Sequence, residues 1–496
     1  MYSLGIDLGT SSIKVSLLDL NNGKIASSAF HPKKEMEIIT RNQGWAEQDP
    51  ETWWSNFIAA MAELKSKSGY KPDEIKSIGI SYQMHGLVLV DKSQQVLRPS
   101  IIWCDSRAVS IGEKAFENLG GKKILSECLN SPGNFTASKL KWVKDNEPEL
   151  YSKIYKIMLP GDFLAMKLTG LLNSTSSGMS EGIFWDYNNN KISDSILKEY
   201  GIDKSLIPDL VPTFSVQGCI TREAADLIHL KEGVPVSYRA GDQPNNAFSL
   251  NVLQPGEVAA TAGTSGVIYG VTDKKQYDPM SRVNTFLHVN HSSQTTRLGV
   301  LLCVNGTGIL NSWIKHNIFK NTQVSYDEMN TIAAKAPVGS AGLRFYPFGN
   351  GAERVLGNKD IGAQLYGLRL TEHNQSHLVR AAQEGIVFSL NYGLEIMRNT
   401  GVSASSIKAG HANMFLSPVF AETFAGIAEA QVKLYNTDGS AGAARAAGYG
   451  AGIYSDMQEA FRGLDEIKTI NPDPTKTERY KQAYGEWKAG LEKLIK

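Results

Sequence analysis

The sequence predicts an α/β or α+β protein built from two related lobes with a cleft between them. The chain has 496 residues, more than one ordinary hydrophobic core holds. Strand patterns open each half, and helical patterns follow them. The turn Gly9-Thr-Ser-Ser12 has an echo in Gly263-Thr-Ser-Gly266, and in both cases an aspartate lies ten residues after the first glycine. Such an internal repeat indicates a duplicated lobe. We place the lobes at residues 1–240 and 241–496.

The predicted elements follow from local signals. Apolar strands over residues 4–8 and 13–20 flank the first turn, and Asn22-Gly23 predicts a hairpin into a strand over 24–30. Asp49 and Pro50 begin a helix, and a strand over 75–82 runs into Gln83-Met-His-Gly86. In the second half, helical periods predict helices over 375–398, 417–432 and 440–454, and another from residue 475 that docks on its own domain.

Composition and charge exclude several classes of protein. The chain has 51 Lys and Arg against 50 Asp and Glu, and no basic stripe with interleaved aromatic residues, so we expect no nucleic acid partner. The four cysteines form no C-x-x-C pair, which is typical of a reducing compartment. The first residues lack the pattern of a signal peptide, and no apolar run approaches the ~20 residues that span a bilayer. We therefore expect a cytoplasmic protein without a membrane partner.

The first candidate site is Asp7-Leu-Gly-Thr-Ser-Ser12. A carboxylate at a strand end, followed by glycine and hydroxyl residues, can bring main-chain N–H groups to an anion and hold a hydrated Mg²⁺ beside it. The alternative is a capped β-turn. The repeat of this turn at residues 261–266 could bind the same polyphosphate from the other lobe. The alternative is a plain hairpin turn. Neither is the Walker A motif, which the sequence lacks.

The second candidate is Asp242, which follows an apolar strand over residues 234–238 and precedes Pro244 at the start of a helix. A carboxylate at such a strand end is well placed to act as the general base that accepts a proton from an attacking hydroxyl group. The alternative is an ordinary helix N-cap, which is a common role for aspartate.

Five motifs, in this order, carry a resemblance to a known family: Ile6-Asp-Leu-Gly-Thr-Ser11, Gln83-Met-His-Gly86, Trp103-Cys-Asp-Ser-Arg107, Gly241-Asp-Gln243 and Gly263-Thr-Ser-Gly266. Together they resemble the FGGY carbohydrate kinases. The Gln-Met-His-Gly element is most similar to that of the xylulose kinases within this family. The resemblance extends from Leu4 to about Gly450, nearly the whole chain.

The resemblance implies a two-lobed actin-like ATPase (ribonuclease H-like) fold with ATP and sugar in the interlobe cleft. It implies phosphorylation of D-xylulose to D-xylulose 5-phosphate in xylose metabolism, with ATP and Mg²⁺ as cofactors, and a homodimer. Asp242 would be the catalytic base, and Asp7 would place the Mg²⁺-bound phosphates through water. The sugar-binding residues would be Met84, His85, Trp103, Asp105 and Asp242. The nucleotide-binding residues would be Thr10, Ser11, Gly263, Thr264, Ser265, Gly410 and Asn413.

The sequence departs from the family at the nucleotide end. Many relatives have a Gly-Gly-Gly-Ala turn where this chain reads Ala409-Gly-His-Ala-Asn-Met414, so the nucleotide preference stays open. The run Asp438-Gly-Ser-Ala-Gly-Ala-Ala444 resembles the family's helix beside the adenosine. Glu353-Arg354 resembles a Gly-Glu-Arg element of the family, or is an ordinary loop ion pair.

Other functions stay open at this point. The substrate could be another ketose or polyol, such as L-xylulose, ribulose or glycerol, although a glycerol kinase would be expected to have Arg-Glu in place of Met84-His85. A non-catalytic sugar or nucleotide sensor, or a filament subunit, could share the fold. The intact Asp7, Asp242 and Met84-His85 argue against that second class. His373 and His377 have zinc-like spacing, but the glutamate of the zinc motif is missing.

Overall fold

The computed structural model describes residues 1–320 and 324–496. The strands are β1 (Tyr2–Leu8), β2 (Ile13–Asp19), β3 (Ile25–His31), β4 (Glu47–Gln48), β5 (Ile75–Tyr82), β6 (Val88–Val90), β7 (Ser100–Ile101), β8 (Lys156–Met158), β9 (Asn173–Thr175), β10 (Trp185–Asp186), β11 (Lys191–Ile192), β12 (Asp209–Val211), β13 (Phe214–Cys219), β14 (Pro235–Gly241), β15 (Glu257–Ala262), β16 (Gly266–Thr272), β17 (Asn284–Leu287), β18 (Leu298–Val304), β19 (Arg344–Tyr346), β20 (Gln364–Tyr366), β21 (Ser406–Gly410), β22 (Gln431–Tyr435) and β23 (Glu466–Ile470).

The α-helices are α1 (Pro50–Ser68), α2 (Val109–Leu119), α3 (Gly121–Cys128), α4 (Thr136–Asn146), α5 (Pro148–Tyr151), α6 (Pro160–Thr169), α7 (Ser176–Glu181), α8 (Asp194–Tyr200), α9 (Arg222–Ile228), α10 (Asp242–Ser249), α11 (Gly308–Asn317), α12 (Tyr326–Ala333), α13 (Gln375–Asn399), α14 (Pro418–Ala428), α15 (Gly439–Gly450) and α16 (Pro474–Leu494). In the described part of the chain, none of these helices has the length and apolar character needed to cross a membrane.

Two compact units divide the chain. The first consists of Met1–Asn251, Phe286–Arg297 and Thr437–Leu464, and the second of Val252–Thr285, Leu298–Asn436 and Asp465–Lys496. The first unit therefore includes Asp242 and a late segment of the chain that contains α15. The division of roles between residues 1–240 and 241–496 stays a prediction.

The sheet of the first unit has the strand order β3-β2-β1-β5-β14-β13. Strands β1, β2 and β3 form an antiparallel meander, whereas β1, β5 and β14 run parallel. Helix α15 packs on β1 and β5 so closely that a Cβ atom on Gly5 would lie 1.8 Å from the carbonyl oxygen of Ser440. A Cβ on Gly79 would lie 2.1 Å from that of Ala443. The Ala/Gly-rich sequence of α15 thus permits main chain to pack against main chain.

The sheet of the second unit repeats this pattern. Its strand order is β18-β16-β15-β21-β22-β23, with β17 beside β18. Strands β15, β16 and β18 are antiparallel neighbours, β15, β21 and β22 run parallel, and β23 is antiparallel to β22. The directions match those of the first sheet strand by strand, in agreement with the duplication that the two Gly-Thr-Ser turns predict.

The predicted helices are present, but two of them end earlier than predicted: the helix predicted over 440–454 ends at Gly450. The helix predicted over 417–432 ends at Ala428, because Glu429 adopts a left-handed conformation with φ +54°. Val432 and Leu434 then alternate with more exposed residues in β22, as expected for a strand. Helix α16 docks on its own unit, as predicted, since Trp487 is buried and its indole N–H donates to the carbonyl oxygen of Phe345 at 2.9 Å.

Candidate active site

Three parallel strands of the first unit end together. Leu8 at the end of β1 pairs with Tyr82 at the end of β5, and Tyr82 pairs with Gly241 at the end of β14. Loops at the carboxyl ends of parallel strands form ligand sites in many α/β proteins. The predicted residues Asp7, Met84, His85 and Asp242 therefore lie at one edge of this sheet.

Asp242 follows Gly241 directly and opens helix α10. Burial, together with the negative charge of Asp7, raises the pKa of its carboxyl group to about 7, although hydrogen bonds from Gln243 oppose the rise. A carboxylate with a pKa close to neutrality suits a general base. Gly241 allows this arrangement, because a Cβ atom there would lie 2.4 Å from Glu181 Oε2 and 2.6 Å from Met84 Cγ.

Asp7 lies beside the N-terminus of helix α15. A Cβ atom on Gly439 would be 2.4 Å from Asp7 Oδ2, so this carboxylate rests against the first residue of the helix. Burial is the main cause that raises the pKa of Asp7 to about 6; a hydrogen bond with Ser81 and the charge of Lys14 oppose the rise, and the charge of Asp438 adds to it. Lys14 Nζ is 2.5 Å from Asp438 Oδ2. The helix start that the resemblance places beside the adenosine thus contacts the predicted metal-site carboxylate.

The first Gly-Thr-Ser turn is held by a polar network. The Trp103 indole N–H donates to the Thr10 hydroxyl oxygen at 2.9 Å, and this hydroxyl donates to Gln83 Oε1 at 3.0 Å. Gln48 Nε2 donates to the carbonyl oxygen of Thr10 at 2.8 Å. Trp103 keeps 49% of its surface exposed, and Ser11 is exposed. The network fixes the turn while it leaves an aromatic face open to a ligand.

His85 has a non-glycine left-handed backbone, with φ +63°. Its Nδ1 atom lies 3.0 Å from the carbonyl oxygen of Glu181, so we assign the ring hydrogen to Nδ1. The ring packs edge-on against Phe135, with centroids 4.8 Å apart. The buried Lys139 ammonium donates to the carbonyl oxygen of His85 at 2.8 Å. A strained backbone held at this many points is typical of functional sites.

Asp105 has a different environment from the other predicted sugar ligands. Its side chain is buried, and Arg107 Nη2 donates to Asp105 Oδ2 at 2.7 Å. The main-chain N–H of Ala46 donates to the same oxygen at 2.6 Å, and the N–H of Arg107 donates to Oδ1 at 2.9 Å. These contacts occupy both carboxylate oxygens, so the structure does not bring Asp105 to the open edge with Trp103.

Sequence analysis missed two buried ionisable groups near this edge. Glu181 is 1% exposed, and burial, followed by the charge of Asp242, raises its pKa well above the ordinary value. Burial lowers the pKa of the Lys139 amine to about 7. Neither residue stands in a chemical motif, and each reaches the edge from a helix distant in sequence. Only the fold reveals them.

The second Gly-Thr-Ser turn, Gly263-Thr264-Ser265, borders a cavity of about 420 Å³ in the second unit. The lining residues are Ala262, Gly263, Thr264, Gly308, Ile309, Asn311, Ser312, Tyr326, Asp327, Asn330, Asn413, Met414 and Leu416. Three predicted nucleotide residues, Gly263, Thr264 and Asn413, are among them, whereas Ser265 and Gly410 are not. A cavity of this size, with apolar walls and a few polar groups, is typical of small-molecule sites.

The second turn is joined to the N-terminus of helix α11. The N–H of Gly308 donates to the carbonyl oxygen of Gly263 at 2.9 Å, and that of Ile309 donates to Thr264 at 3.1 Å. A Cβ atom on Gly263 would lie 3.7 Å from Asn413 Nδ2. Gly410 ends β21, and the N–H of the next residue, His411, donates to the carbonyl oxygen of Tyr435 at 2.8 Å.

Known proteins resemble this chain over its whole length. Residues 2–249 match the N-terminal domain of the FGGY family of carbohydrate kinases, and residues 258–451 match its C-terminal domain. A xylulose kinase of Bacillus subtilis (strain 168) is 31% identical, covering 98% of this chain and 96% of the relative. A xylulose kinase of Haemophilus influenzae is 29% identical, covering 100% of both chains.

Solved structures also resemble this chain over its whole length. The crystal structure of xylulose kinase from Rhodospirillum rubrum superposes with a TM-score of 0.87 at 25% identity, covering 100% of this chain and 99% of the other. The fold is therefore that of the two-lobed kinases, as the sequence predicts. With both family domains matched in order, the chain belongs to the FGGY family of carbohydrate kinases.

Proposed function

We propose that this protein transfers the γ-phosphate of ATP to D-xylulose and releases D-xylulose 5-phosphate and ADP. The observation that carries the proposal is Asp242, a carboxylate with a pKa of about 7 at the strand edge that also holds Asp7 and Met84-His85. Full-length similarity to xylulose kinases supports the choice of sugar.

The reaction needs a base, a fixed sugar and a fixed phosphate. Asp242 accepts the proton of the sugar's terminal hydroxyl group as its oxygen attacks the phosphorus atom. His85 offers a ring nitrogen to sugar hydroxyls, and the exposed Trp103 face offers an apolar wall. Asp105 holds its loop through Arg107 and Ala46, so we propose that it positions this wall, and its direct contact with sugar stays a prediction.

Mg²⁺ fits the chemistry of the Asp7 surroundings. Within the described residues, no cluster of three or more ligating side chains exists, which agrees with a cation bound through one carboxylate, water and nucleotide phosphates. Lys14 pairs with Asp438, whereas no ion pair in the described part of the chain offsets the carboxylate of Asp7, so a divalent cation near Asp7 would offset its charge. When bound, Mg²⁺ neutralises phosphate charge, and Asp7 would hold it through water.

The cavity beside the second turn is our proposed nucleotide site. Main-chain N–H groups of the Gly263-Thr264 turn and the hydroxyl group of Thr264 would contact phosphates, and Asn413 would line the nucleoside end. Thr10, Ser11, Ser265 and Gly410 stay predicted nucleotide residues. ATP as the nucleotide also stays a prediction, because His411 and Asn413 replace residues of the usual family turn. The experiment below compares ATP with GTP. The homodimer, the cytoplasmic location and the lack of a nucleic acid or membrane partner also stay predictions.

ADP release by the purified protein tests the proposal. Mg²⁺ with ATP or GTP is combined with D-xylulose, L-xylulose, D-ribulose, L-ribulose or glycerol in turn. We expect the highest kcat/KM with D-xylulose and ATP. A higher value with another sugar would keep the kinase and refute the substrate, because one inverted hydroxyl can decide specificity. A folded protein that binds ATP but releases no ADP with any sugar would favour a sensor.

A further inference from the structure

Glu353, which the sequence analysis left between a family element and a loop ion pair, has another role in the structure. Its side chain is fully buried, and its Oε1 and Oε2 atoms accept hydrogen bonds from the main-chain N–H of Asn305 at 2.9 and 3.1 Å. The guanidinium group of the next residue, Arg354, donates to the carbonyl oxygen of Ser281 at 2.8 Å. The Glu353 carboxylate therefore fixes the main chain at Asn305 by hydrogen bonds.

The main chain that it holds leads to the proposed nucleotide site. Asn305, Gly306 and Thr307 join β18 to helix α11. A Cβ atom on Gly306 would lie 1.4 Å from the carbonyl oxygen of Pro347, so this loop is pressed against its neighbour without room for a side chain. The first residues of α11 then donate to the carbonyl oxygens of Gly263 and Thr264. One buried carboxylate is thus connected to the second turn through loop 305–307 and the hydrogen bonds at the start of α11.

This hold depends on the charge of Glu353. A carboxylate accepts hydrogen bonds at both oxygens, whereas a protonated acid turns one of them into a donor and loses acceptor capacity. Burial raises the pKa of Glu353 to about 7, the N–H groups of Asn305 and Gly306 oppose the rise, and Asp360 adds to it. The neighbouring cations are engaged elsewhere, Lys359 with the carbonyl oxygen of Ile495 and Arg354 with Ser281. Asp278, whose charge acts on Arg354, pairs with Arg282 at 2.8 Å.

We propose that Glu353 is a positioning residue for nucleotide binding: its carboxylate fixes loop 305–307 and thereby the Gly263-Thr264 turn, and protonation of this carboxylate weakens the hold. The inference rests on the proposed nucleotide site and adds a control of that site by pH. Glu353 touches no reacting atom, so its effect is on nucleotide affinity and not on the chemical step.

Calorimetric titration of the full chain with Mg²⁺-ADP at pH 8, 7 and 6 tests this proposal. We expect Glu353→Gln to weaken ADP binding about tenfold at pH 8, the effect of one lost charge-assisted hydrogen bond. The difference from wild type should shrink at pH 6, where wild-type Glu353 is itself protonated. Titration of ADP phosphates is common to both proteins and cancels. The matched control is Glu372→Gln, an exposed glutamate of the same unit, which should bind ADP as wild type does.

Several outcomes would overturn the proposal. Equal ADP affinity of Glu353→Gln and wild type at pH 8 would do so, as would a difference that does not change with pH. Weaker binding of both ADP and D-xylulose, with a lower Tm, would indicate a merely structural role. Should Glu353→Gln not fold, Glu353→Asp is titrated instead, and it must keep the pH dependence. A wild-type chain that binds no nucleotide at pH 8 would refute the nucleotide site itself, which separates that failure from the failure of Glu353.

Discussion

The two Gly-Thr-Ser turns occupy the same place in two sheets of the same topology, yet they differ in length and charge. The first spans residues 9–12, between the paired Leu8 and Ile13, whereas the second spans only 263–265, between Ala262 and Gly266. Before the first turn Asp7 pairs across the strands with Lys14; before the second, Thr261 pairs with Val267. The strand frame is the same in both copies, but at this paired position only the first copy has charged residues.

This difference indicates a division of labour. Asp7, Asp242 and Glu181 gather around the strand ends of the first unit, all with raised pKa values. The second turn carries no carboxylate and borders a cavity. We therefore propose that acid–base and metal chemistry belong to the first turn, and that the second turn contacts the nucleotide through main-chain N–H groups and hydroxyl groups. Variants of the two turns should differ in which kinetic constant they change.

The largest effect is expected for Asp242→Asn. Without the base, kcat should fall about 1,000-fold, while ADP and D-xylulose still bind, because the amide keeps the shape of the carboxylate. ADP release measures kcat, and calorimetry measures binding. Asp226→Asn, an exposed aspartate on α9 of the same unit, is the control and should keep full activity. A kcat within tenfold of wild type would remove Asp242 from the mechanism.

Asp7→Asn and Thr264→Ala compare the two turns directly. Asp7→Asn should lower kcat about 100-fold and raise the Mg²⁺ concentration needed for half-maximal activity, since it removes the metal-site charge. Thr264→Ala should raise KM for ATP about fivefold and leave kcat nearly unchanged, the cost of one neutral hydrogen bond. Rates measured over a Mg²⁺ series and an ATP series separate the two. If Thr264→Ala lowered kcat more than Asp7→Asn did, the division of labour would be wrong.

Stability should change in the opposite sense from activity. Folding raises the pKa of Asp242 from the ordinary 3.8 to about 7, so the ionised carboxylate costs folding free energy above pH 7. That cost decreases as the pH falls toward the unfolded value, because the folded group takes up its proton first. Asp242→Asn should therefore raise Tm by a few degrees at pH 8 and by less at pH 5.

Thermal unfolding at the two pH values measures this effect, and Thr264→Ala supplies the contrast, since no charge is removed there. An Asp242→Asn protein with a Tm below that of wild type at pH 8 would show that the carboxylate stabilises the fold.

The sequence was sufficient for the fold and for the residues that lie next to strand ends. Glycine, hydroxyl and carboxylate residues after an apolar run predict Asp7, Asp242 and the two turns, because strand and turn are local structures. The burial of Asp105 and the contact between the start of α15 and Asp7 could not be predicted from the sequence. They depend on Ala46, which donates to Asp105, and on Gly439, which lies against Asp7, and each of these contacts joins segments far apart in sequence. Glu353 was found in the sequence, but its partner Asn305 was not.

The smallest effect is expected for Glu181→Gln. This variant tests whether Glu181, a second buried acid near Asp242, is ionised at neutral pH. The kcat/KM should fall as the pH decreases through about 7, because only ionised Asp242 accepts a proton. Burial, followed by the charge of Asp242, raises the pKa of Glu181 well above its ordinary value, so we expect the neutral form of Glu181 beside an ionised Asp242. Glutamine is then a neutral replacement of the same shape. We expect a kcat/KM within about threefold of wild type and the same midpoint on the acidic side of the pH profile.

The opposite result is equally informative. If Glu181 were ionised at neutral pH, its removal would lower the pKa of Asp242 and move that midpoint about one unit toward acid. Glu113→Gln, an exposed glutamate on α2, controls for a general change of charge in the same unit. An unchanged midpoint means that two neighbouring carboxyl groups keep one proton between them. The first unit would then concentrate acids around its strand ends without adding a second negative charge beside the base.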